Sequence, residues 1–220
     1  MNQSKEIEGN DCRILFKNAY ENRYTWGDEF KGYKGSCIWD NGIKVVEGSF
    51  LLGKDLKSNV TGIADQEVLK AISSQLWEVA IHRVRRGFEK VHGENTFTAG
   101  DINQYGLEVL VGGKNVGDKY RIKNNVVTMV FRHIHGVIVE IYTIETVDTG
   151  NGYLSRNYSS QYYDPTSGMP TSGKSLFRDE FKPLKNSSIW VLNSREIEKE
   201  EFNSSPYTKE KYSFLDLQEI

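Results

Sequence analysis

The sequence has 220 residues and a formal net charge of −2, with 26% charged and 12% aromatic residues. This length fits one domain, and the aromatic content excludes disorder of the whole chain. The near-neutral charge excludes a general affinity for nucleic acid or anionic membranes, because both favour a strongly basic surface. No stretch approaches the ~20 apolar residues of a membrane span, and segment 1–11 lacks the layout of a secretory signal, so we expect a cytoplasmic protein.

The first half of the chain is predicted to hold both helices of the fold. Segment 11–21 has apolar residues at helical spacing behind Asp11, a suitable N-terminal cap. Segment 65–93 shows the same spacing over a longer stretch and is predicted to be one long helix with Asp65 as its cap. Its basic cluster at 82–86 suits the negative end of the helix dipole, and an anion or partner site is the alternative.

Most of the remaining sequence is predicted to form β-strands separated by turn residues. Asp-Asn-Gly at 40–42 and the pair at 124–125 mark tight hairpin turns, because asparagine and glycine tolerate positive φ. The strongest hairpin pairs segments 126–131 and 137–144, which are rich in β-branched residues. Further strands are predicted at 33–39, 43–52, 56–63, 96–102, 107–112, 119–122, 153–163, 175–181, 189–198 and 212–217.

This order of elements predicts an α+β fold. Many strands in series, with one long helix inserted early, indicate a single domain whose curved antiparallel sheet, a half-barrel, wraps the long helix and the short N-terminal helix. We expect a globular domain at 11–198 and a flexible N-terminal lead at 1–10. For the C-terminal segment 199–220, a final edge strand is one option.

Three features of known site types are present in the sequence but do not indicate such sites. Segment 168–175 matches the G-x-x-x-x-G-K-[ST] phosphate loop, but a strand rather than a helix is predicted to follow it, so we interpret it as a hairpin loop. The glycine-rich segment 112–117 lacks the same strand-to-helix context. The two cysteines, Cys12 and Cys37, are too few for a disulfide framework, and we expect both to be reduced and buried.

Two histidines at the end of the predicted strand 126–131 are the stronger candidates for a site. Alternation along a strand places Val127, Met129, Phe131 and His133 on one side, with His135 beside them if the strand continues. A shared metal would need a third ligand, from His82, His92 or Glu94. A ligand-binding or catalytic role without metal and a purely structural role are the other readings, and no metal ligand is assigned.

The ligand-binding site that we predict lies at the polar end of an apolar concavity. It combines the end of the histidine hairpin with the basic end of the long helix. Its residues are His133, His135, His82, Arg85, Met129 and Phe131.

Four segments carry a resemblance to a known family: 19–26, 75–86, 132–136 and 148–155. Over about 11–198 the chain resembles an uncharacterised family of cyanobacteria and plastids, a domain of unknown function. The resemblance implies a photosynthetic host and a cytoplasmic or stromal location, but no activity. The order of strands and helices is also similar to that of lipoprotein-carrier half-barrels, which shelter an acyl chain, although a fold alone does not determine function.

We therefore expect a non-enzymatic binding or assembly protein of photosynthetic cells. It would hold a hydrophobic ligand, such as a lipid or pigment, in the concave face of the sheet, with this small molecule or a photosynthetic protein as its partner. The alternative is a histidine-based enzyme, with or without a metal, centred on His133 and His135. The sequence assigns no cofactor.

Overall fold

The computed structural model describes residues 9–220, which form three helices and twelve strands. The chain divides into two compact units. Unit 1 consists of Arg86–Lys174 with the described part of Met1–Arg23, and unit 2 of Tyr24–Arg85 with Ser175–Ile220. Among the described residues, no helix combines the length and the apolar character needed to span a membrane.

The helices are α1 (Gly9–Glu21), α2 (Gln66–Ile81) and α3 (Phe88–His92). The strands are β1 (Gly32–Asp40), β2 (Val45–Gly53), β3 (Ser58–Thr61), β4 (Asn95–Asn103), β5 (Gly106–Gly113), β6 (Lys119–Lys123), β7 (Val126–Ile134), β8 (Val137–Asp148), β9 (Tyr153–Tyr163), β10 (Ser175–Pro183), β11 (Trp190–Lys199) and β12 (Thr208–Glu219). Each predicted strand overlaps one of these, so the prediction of a mainly antiparallel β chain is confirmed.

Unit 1 packs α1 and α3 against an antiparallel sheet in the order β9-β8-β7-β6-β5-β4. Cys12, Phe16 and Ala19 are fully buried and share one side of α1, because residues three and four apart lie on the same helix face. The Phe16 ring lies 4.4 Å from the ring of Tyr120 on β6, so this side of α1 meets the sheet. The buried Phe88 of α3 closes the same apolar core.

Strand register shows which residues share the sheet face that carries α1. Tyr120 lies opposite Val130, Val130 opposite Ile141, and Ile141 opposite Ser160. Directly opposed residues point to the same face, so this row across β6–β9 faces the helix side.

A bulge in β7 shifts this face by one residue. Met129 lies opposite Arg121 and Val127 opposite Ile122, which leaves Thr128 as an extra residue. Val127 therefore packs into the α1 core, whereas Met129 points to the other face. The prediction that Val127 and Met129 share a face was wrong, because simple alternation holds only in a strand without a bulge.

Unit 2 packs α2 against an antiparallel sheet in the order β3-β2-β1-β12-β11-β10. The Asp65 carboxylate accepts hydrogen bonds from the backbone N–H groups of Glu67 and Val68, which confirms the predicted cap. The buried side of α2 has helical spacing. It consists of Val68, Ile72, Leu76, Val79 and Ala80.

The predicted single helix over 65–93 is wrong, because α2 ends at Ile81 and α3 begins only at Phe88. The backbone between α2 and α3 pairs with Trp26 instead of continuing the helix. The carbonyl of Arg83 accepts a hydrogen bond from the N–H of Trp26 at 2.7 Å, and Val84 forms a parallel bridge with Trp26. A helix that continued through these residues would lose both interactions. Tertiary contacts override the helical spacing here.

Both ends of the chain also depart from the prediction. Of the predicted lead 1–10, residues 1–8 lie outside the described part of the chain, and α1 begins at Gly9 rather than at a cap on Asp11. The C-terminal segment is not an edge strand, because β12 pairs with both β1 and β11. The domain bounds 11–198 stay a prediction.

The phosphate-loop match, the glycine-rich segment and the two cysteines take the conformations that the sequence predicts. Segment 168–174 is followed by strand β10 rather than a helix, and 114–118 connects β5 to β6 as a turn. Cys12 and Cys37 are both free and buried.

Candidate functional site

A groove in unit 1 lies beside α1, where the helix passes the end of the β6–β7 hairpin. It has a volume of about 180 Å³. Its lining residues come from α1, from β5 and β6, and from the turn after β6: Leu15, Asn18, Leu107, Ile122, Asn124 and Asn125.

The turn after β6 shapes one end of the groove. Asn124 and Asn125 both have positive φ values, of 51° and 60°, as the sequence predicts for a two-residue hairpin turn. The side-chain amide of Asn22, just after α1, donates to the carbonyl of Asn125 at 2.9 Å. The backbone N–H of Tyr153 donates to the carbonyl of Asn22, also at 2.9 Å. The C-terminal end of α1 is thus held against the turn and against β9.

The walls of the groove are apolar and its rim is polar but neutral. Leu107 and Ile122 are directly opposed on β5 and β6, and Ile102 on β4 extends the same row. Leu15 lies off the buried side of α1 and is 41% exposed, and Ile102 is also exposed. The side chains of the three lining asparagines, Asn18, Asn124 and Asn125, offer both hydrogen-bond donors and acceptors. This arrangement suits a neutral molecule with an apolar body and a hydrogen-bonding end.

Three of the predicted site residues lie on the sheet face away from α1. Met129 is buried there, and the rings of Phe131 and His133 meet edge to face with centroids 5.8 Å apart. The backbone N–H of His133 donates to Asp118 Oδ1 at 3.0 Å, and its ring Nδ1 lies 3.4 Å from the same oxygen. Asp118 is buried and also accepts from Arg132 Nε at 3.3 Å.

The structure does not place His135 beside His133. β7 ends at Ile134, and His135 forms the turn to β8 with Gly136, at φ values of 50° and 80°. The condition for placing His135 beside His133, a strand that continues past Ile134, is therefore not met, because the His-Gly pair adopts the positive φ of a tight hairpin turn.

The other two predicted residues belong to unit 2. His82 is the C-cap of α2, and Arg85 lies in the exposed segment that follows it. Among residues 9–220, no group of three histidine, cysteine, aspartate or glutamate side chains is arranged to hold a metal ion. The ligand-binding role of the six residues stays a prediction.

His92, a proposed third ligand, is a core residue of unit 1. Its ring lies 5.0 Å from the ring of Phe16 and 5.2 Å from that of Phe88, and its Nδ1 faces the side-chain amide of Asn95 at 3.2 Å. Burial, followed by the nearby charges of Arg132 and Arg23, lowers the pKa of His92 to about 4. His92 is therefore neutral at physiological pH and packs as an aromatic residue.

The chain matches the model of the family described as "Protein of unknown function (DUF3386)" over residues 7–220. It belongs to the DUF3386 family. The expected resemblance to a domain of unknown function is confirmed, and the match concerns neither a host nor an activity. A comparison of this DUF3386 chain with curated proteins finds no match.

Two solved structures are similar to the DUF3386 chain. A DUF1329 family protein from Desulfovibrio piger has a TM-score of 0.32 and 10% identity, over 98% of this chain and 94% of that one. A domain named after outer membrane lipoprotein-sorting proteins, from Vibrio parahaemolyticus, has a TM-score of 0.32 and 8% identity, over 96% and 93%.

The groove of the DUF3386 chain is largely missed by sequence reasoning. The two turn asparagines are visible as a local signal. In the sequence, Leu15 is one of the apolar residues at helical spacing in α1. The structure shows that its side chain is 41% exposed, next to the buried side of the helix rather than part of it. Leu107 and Ile122 come together through strand pairing, which no local pattern specifies.

Proposed function

We propose that the protein is a non-enzymatic binding protein for a small hydrophobic molecule, such as a lipid or pigment, and that the groove beside α1 holds the apolar end of this molecule. The observation that carries the proposal is the groove itself, an opening of about 180 Å³ with apolar walls and a neutral amide rim. The exposed side chain of Ile102 continues the apolar surface beyond it.

The size of the groove limits what it encloses. Sites that surround a drug-sized ligand have volumes of about 300–1,000 Å³, so this groove holds one end of such a molecule. An alkyl segment of about six methylene groups would contribute about 5 kcal/mol on full burial. That free energy corresponds to a Kd of about 0.2 mM, so contacts of the remaining ligand with the rim and with Ile102 would set the final affinity.

The setting is part of the same proposal. A photosynthetic host, a cytoplasmic or stromal location and a photosynthetic protein as further partner rest on the resemblance of segments such as 75–86 and 148–155 alone. We prefer ligand binding to chemistry centred on the histidine hairpin, because His135 lies in a turn and does not share a face with His133.

Fluorescence of the dye N-phenyl-1-naphthylamine tests the groove, since its emission rises in apolar surroundings. We expect the wild-type protein to bind the dye and the neutral alcohol 1-decanol to displace it. Leu15→Asn should weaken dye binding about fivefold, because partial loss of one leucine contact removes about 1 kcal/mol.

A matched control is the neighbouring residue of the same helix. Ile14 is 49% exposed against 41% for Leu15, but it does not line the groove. Ile14→Asn should therefore bind the dye like the wild type. Equal losses in both variants, or no dye binding by the wild type, would exclude the groove as the site.

A further inference from the structure

The outer side of α2 in unit 2 carries an exposed aromatic residue. Lys70, Ser74, Trp77 and Ile81 follow one another at spacings of four, three and four, so they share one helix face. This face lies away from the buried residues of α2, and Trp77 is 54% exposed. Tryptophan usually buries most of its large ring, so an exposed tryptophan on the same helix face as a lysine calls for an explanation.

Positive charge continues past the end of this helix face. Trp77 lies about one helical turn before the end of α2 at Ile81. The segment that follows contains Arg83 and Arg85, with the exposed Val84 between them. The Arg83 guanidinium lies 5.4 Å from the centre of the Phe181 ring, so the Arg83 side chain packs against β10. The side chain of Arg85 is exposed.

The acidic residues of α2 do not cancel this charge. Glu78 is already paired, because its Oε1 accepts a hydrogen bond from the buried Arg195 at 3.1 Å. Glu67 lies three residues before Lys70 and offsets the charge of that lysine, but it is ten residues before Trp77, which corresponds to about 15 Å along the helix. We use the name α2 stripe for the helix face with Lys70, Trp77 and Ile81 together with the exposed Val84 and Arg85 of the segment that follows it.

We propose that the α2 stripe docks unit 2 onto a membrane surface that contains anionic lipids. Tryptophan favours the headgroup level of a bilayer because its ring is apolar and its N–H is polar. Lysine and arginine extend along apolar surface while their charged ends reach the phosphates, and each contributes about 1 kcal/mol near an anionic surface. The chain as a whole has a net charge of −2, so the attraction is local to the stripe.

The narrowness of the stripe favours a lipid surface over a protein partner. A specific protein interface buries at least about 1,000 Å², with good shape complementarity. The three apolar side chains of the α2 stripe fall well short of that area, whereas interfacial insertion of a tryptophan needs no shaped partner. This inference goes beyond the ligand-binding proposal and does not depend on it.

Sedimentation of the full chain with vesicles tests the proposal. We expect binding to vesicles of phosphatidylglycerol and phosphatidylcholine in equal amounts, and none to pure phosphatidylcholine. Binding should be lost at ~1 M salt, where the Debye length falls to about 3 Å. Arg85→Gln should weaken binding about fivefold, since it removes about 1 kcal/mol, and Trp77→Ser should weaken it at least as much.

Matched controls lie at the other end of α2. Ile43, 94% exposed, is in the β1–β2 turn, whose Lys44 pairs with the Asp65 cap at 2.6 Å. Ile43→Ser removes an exposed apolar residue there, and Lys211→Gln removes an exposed charge on β12 opposite Asp40. Both should bind vesicles like the wild type. Failure of the wild type to bind anionic vesicles, or equal losses in all four variants, would overturn the proposal, and an acidic protein would then be the better partner for the stripe.

Discussion

Arg195 and Asp179 form a two-point ion pair inside unit 2. Arg195 Nε donates to Asp179 Oδ1 at 2.7 Å and Nη2 donates to Oδ2 at 2.6 Å, and both side chains are 2% exposed. Arg195 Nη1 also donates to Gln75 and Glu78 of α2, at 2.9 and 3.1 Å. One guanidinium on β11 thus joins β10 to the helix that carries the α2 stripe.

Asp179→Ala should lower the free energy of unfolding strongly. The substitution leaves the buried guanidinium without its main counter-charge, and breaking one side of a buried pair costs about 3–5 kcal/mol. Urea unfolding followed by circular dichroism measures the change.

Two comparisons separate this effect from a general loss of charge. The double variant Asp179→Leu with Arg195→Met should recover much of the loss, because apolar replacement of both partners removes the uncompensated charge. Arg178→Gln, at a surface pair with Glu196 and Glu198, should cost about 1 kcal/mol or less. An Asp179→Ala variant no less stable than Arg178→Gln would contradict the prediction.

Local rules explain most of what the sequence predicted about the fold. Asp65 caps α2 through its own side chain, and Asn124-Asn125 turns the chain through its own φ angles, so both features are encoded within a few residues. The break of the helix after Ile81 depends instead on Trp26, which pairs with residues nearly sixty positions later. No spacing rule contains that information.

The candidate site shows the same division between local and long-range information. The turn asparagines were predicted, but the bulge at Thr128 decides which β7 residues face α1, and it is visible only in the strand register. The sequence left the arrangement of the histidine pair open for a related reason. His133-x-His135 reads equally as a strand pair or as a strand end followed by a turn, and Gly136 completes the turn.

The pH dependence of stability should show the lowered pKa of His92. Its folded pKa of about 4 lies below the ordinary value of 6.5, so the unfolded chain binds the proton more readily. The contribution of His92 to the free energy of unfolding is fully present at pH values above the pKa of the unfolded state. It is lost as the pH falls from 6.5 towards 4. His92→Gln should therefore show a flatter loss of stability with falling pH over this range than the wild type.

An exposed histidine provides the control for that comparison. His135 lies in the β7–β8 turn and is exposed, so His135→Gln should keep the pH slope of the wild type. Identical slopes in the wild type and His92→Gln would refute a buried neutral histidine. Urea midpoints at several pH values between 4 and 7 measure the slopes.

The turn at His135-Gly136 should accept asparagine but resist a new side chain at Gly136. His135→Asn should keep or slightly raise stability, since asparagine is favoured at positive φ in such turns. Gly136→Ala should lower the free energy of unfolding by about 1–2 kcal/mol, because an L-residue is strained at a φ of 80°. Thermal unfolding measures both. A strongly destabilised His135→Asn variant would indicate that the imidazole itself is needed.

Cys12 should report ligand binding in the groove. Its thiol is fully buried on the side of α1 that meets the sheet, and burial raises its pKa to about 11, so reaction with Ellman's reagent requires α1 to open. A ligand that contacts Leu15 on α1 and Ile122 on β6 stabilises the closed form, so 1-decanol should slow the labelling of Cys12. Single-cysteine variants separate this signal from that of Cys37, which is buried in unit 2 and should be labelled at an unchanged rate. Equal slowing of both thiols would instead point to a general stabilisation of the chain.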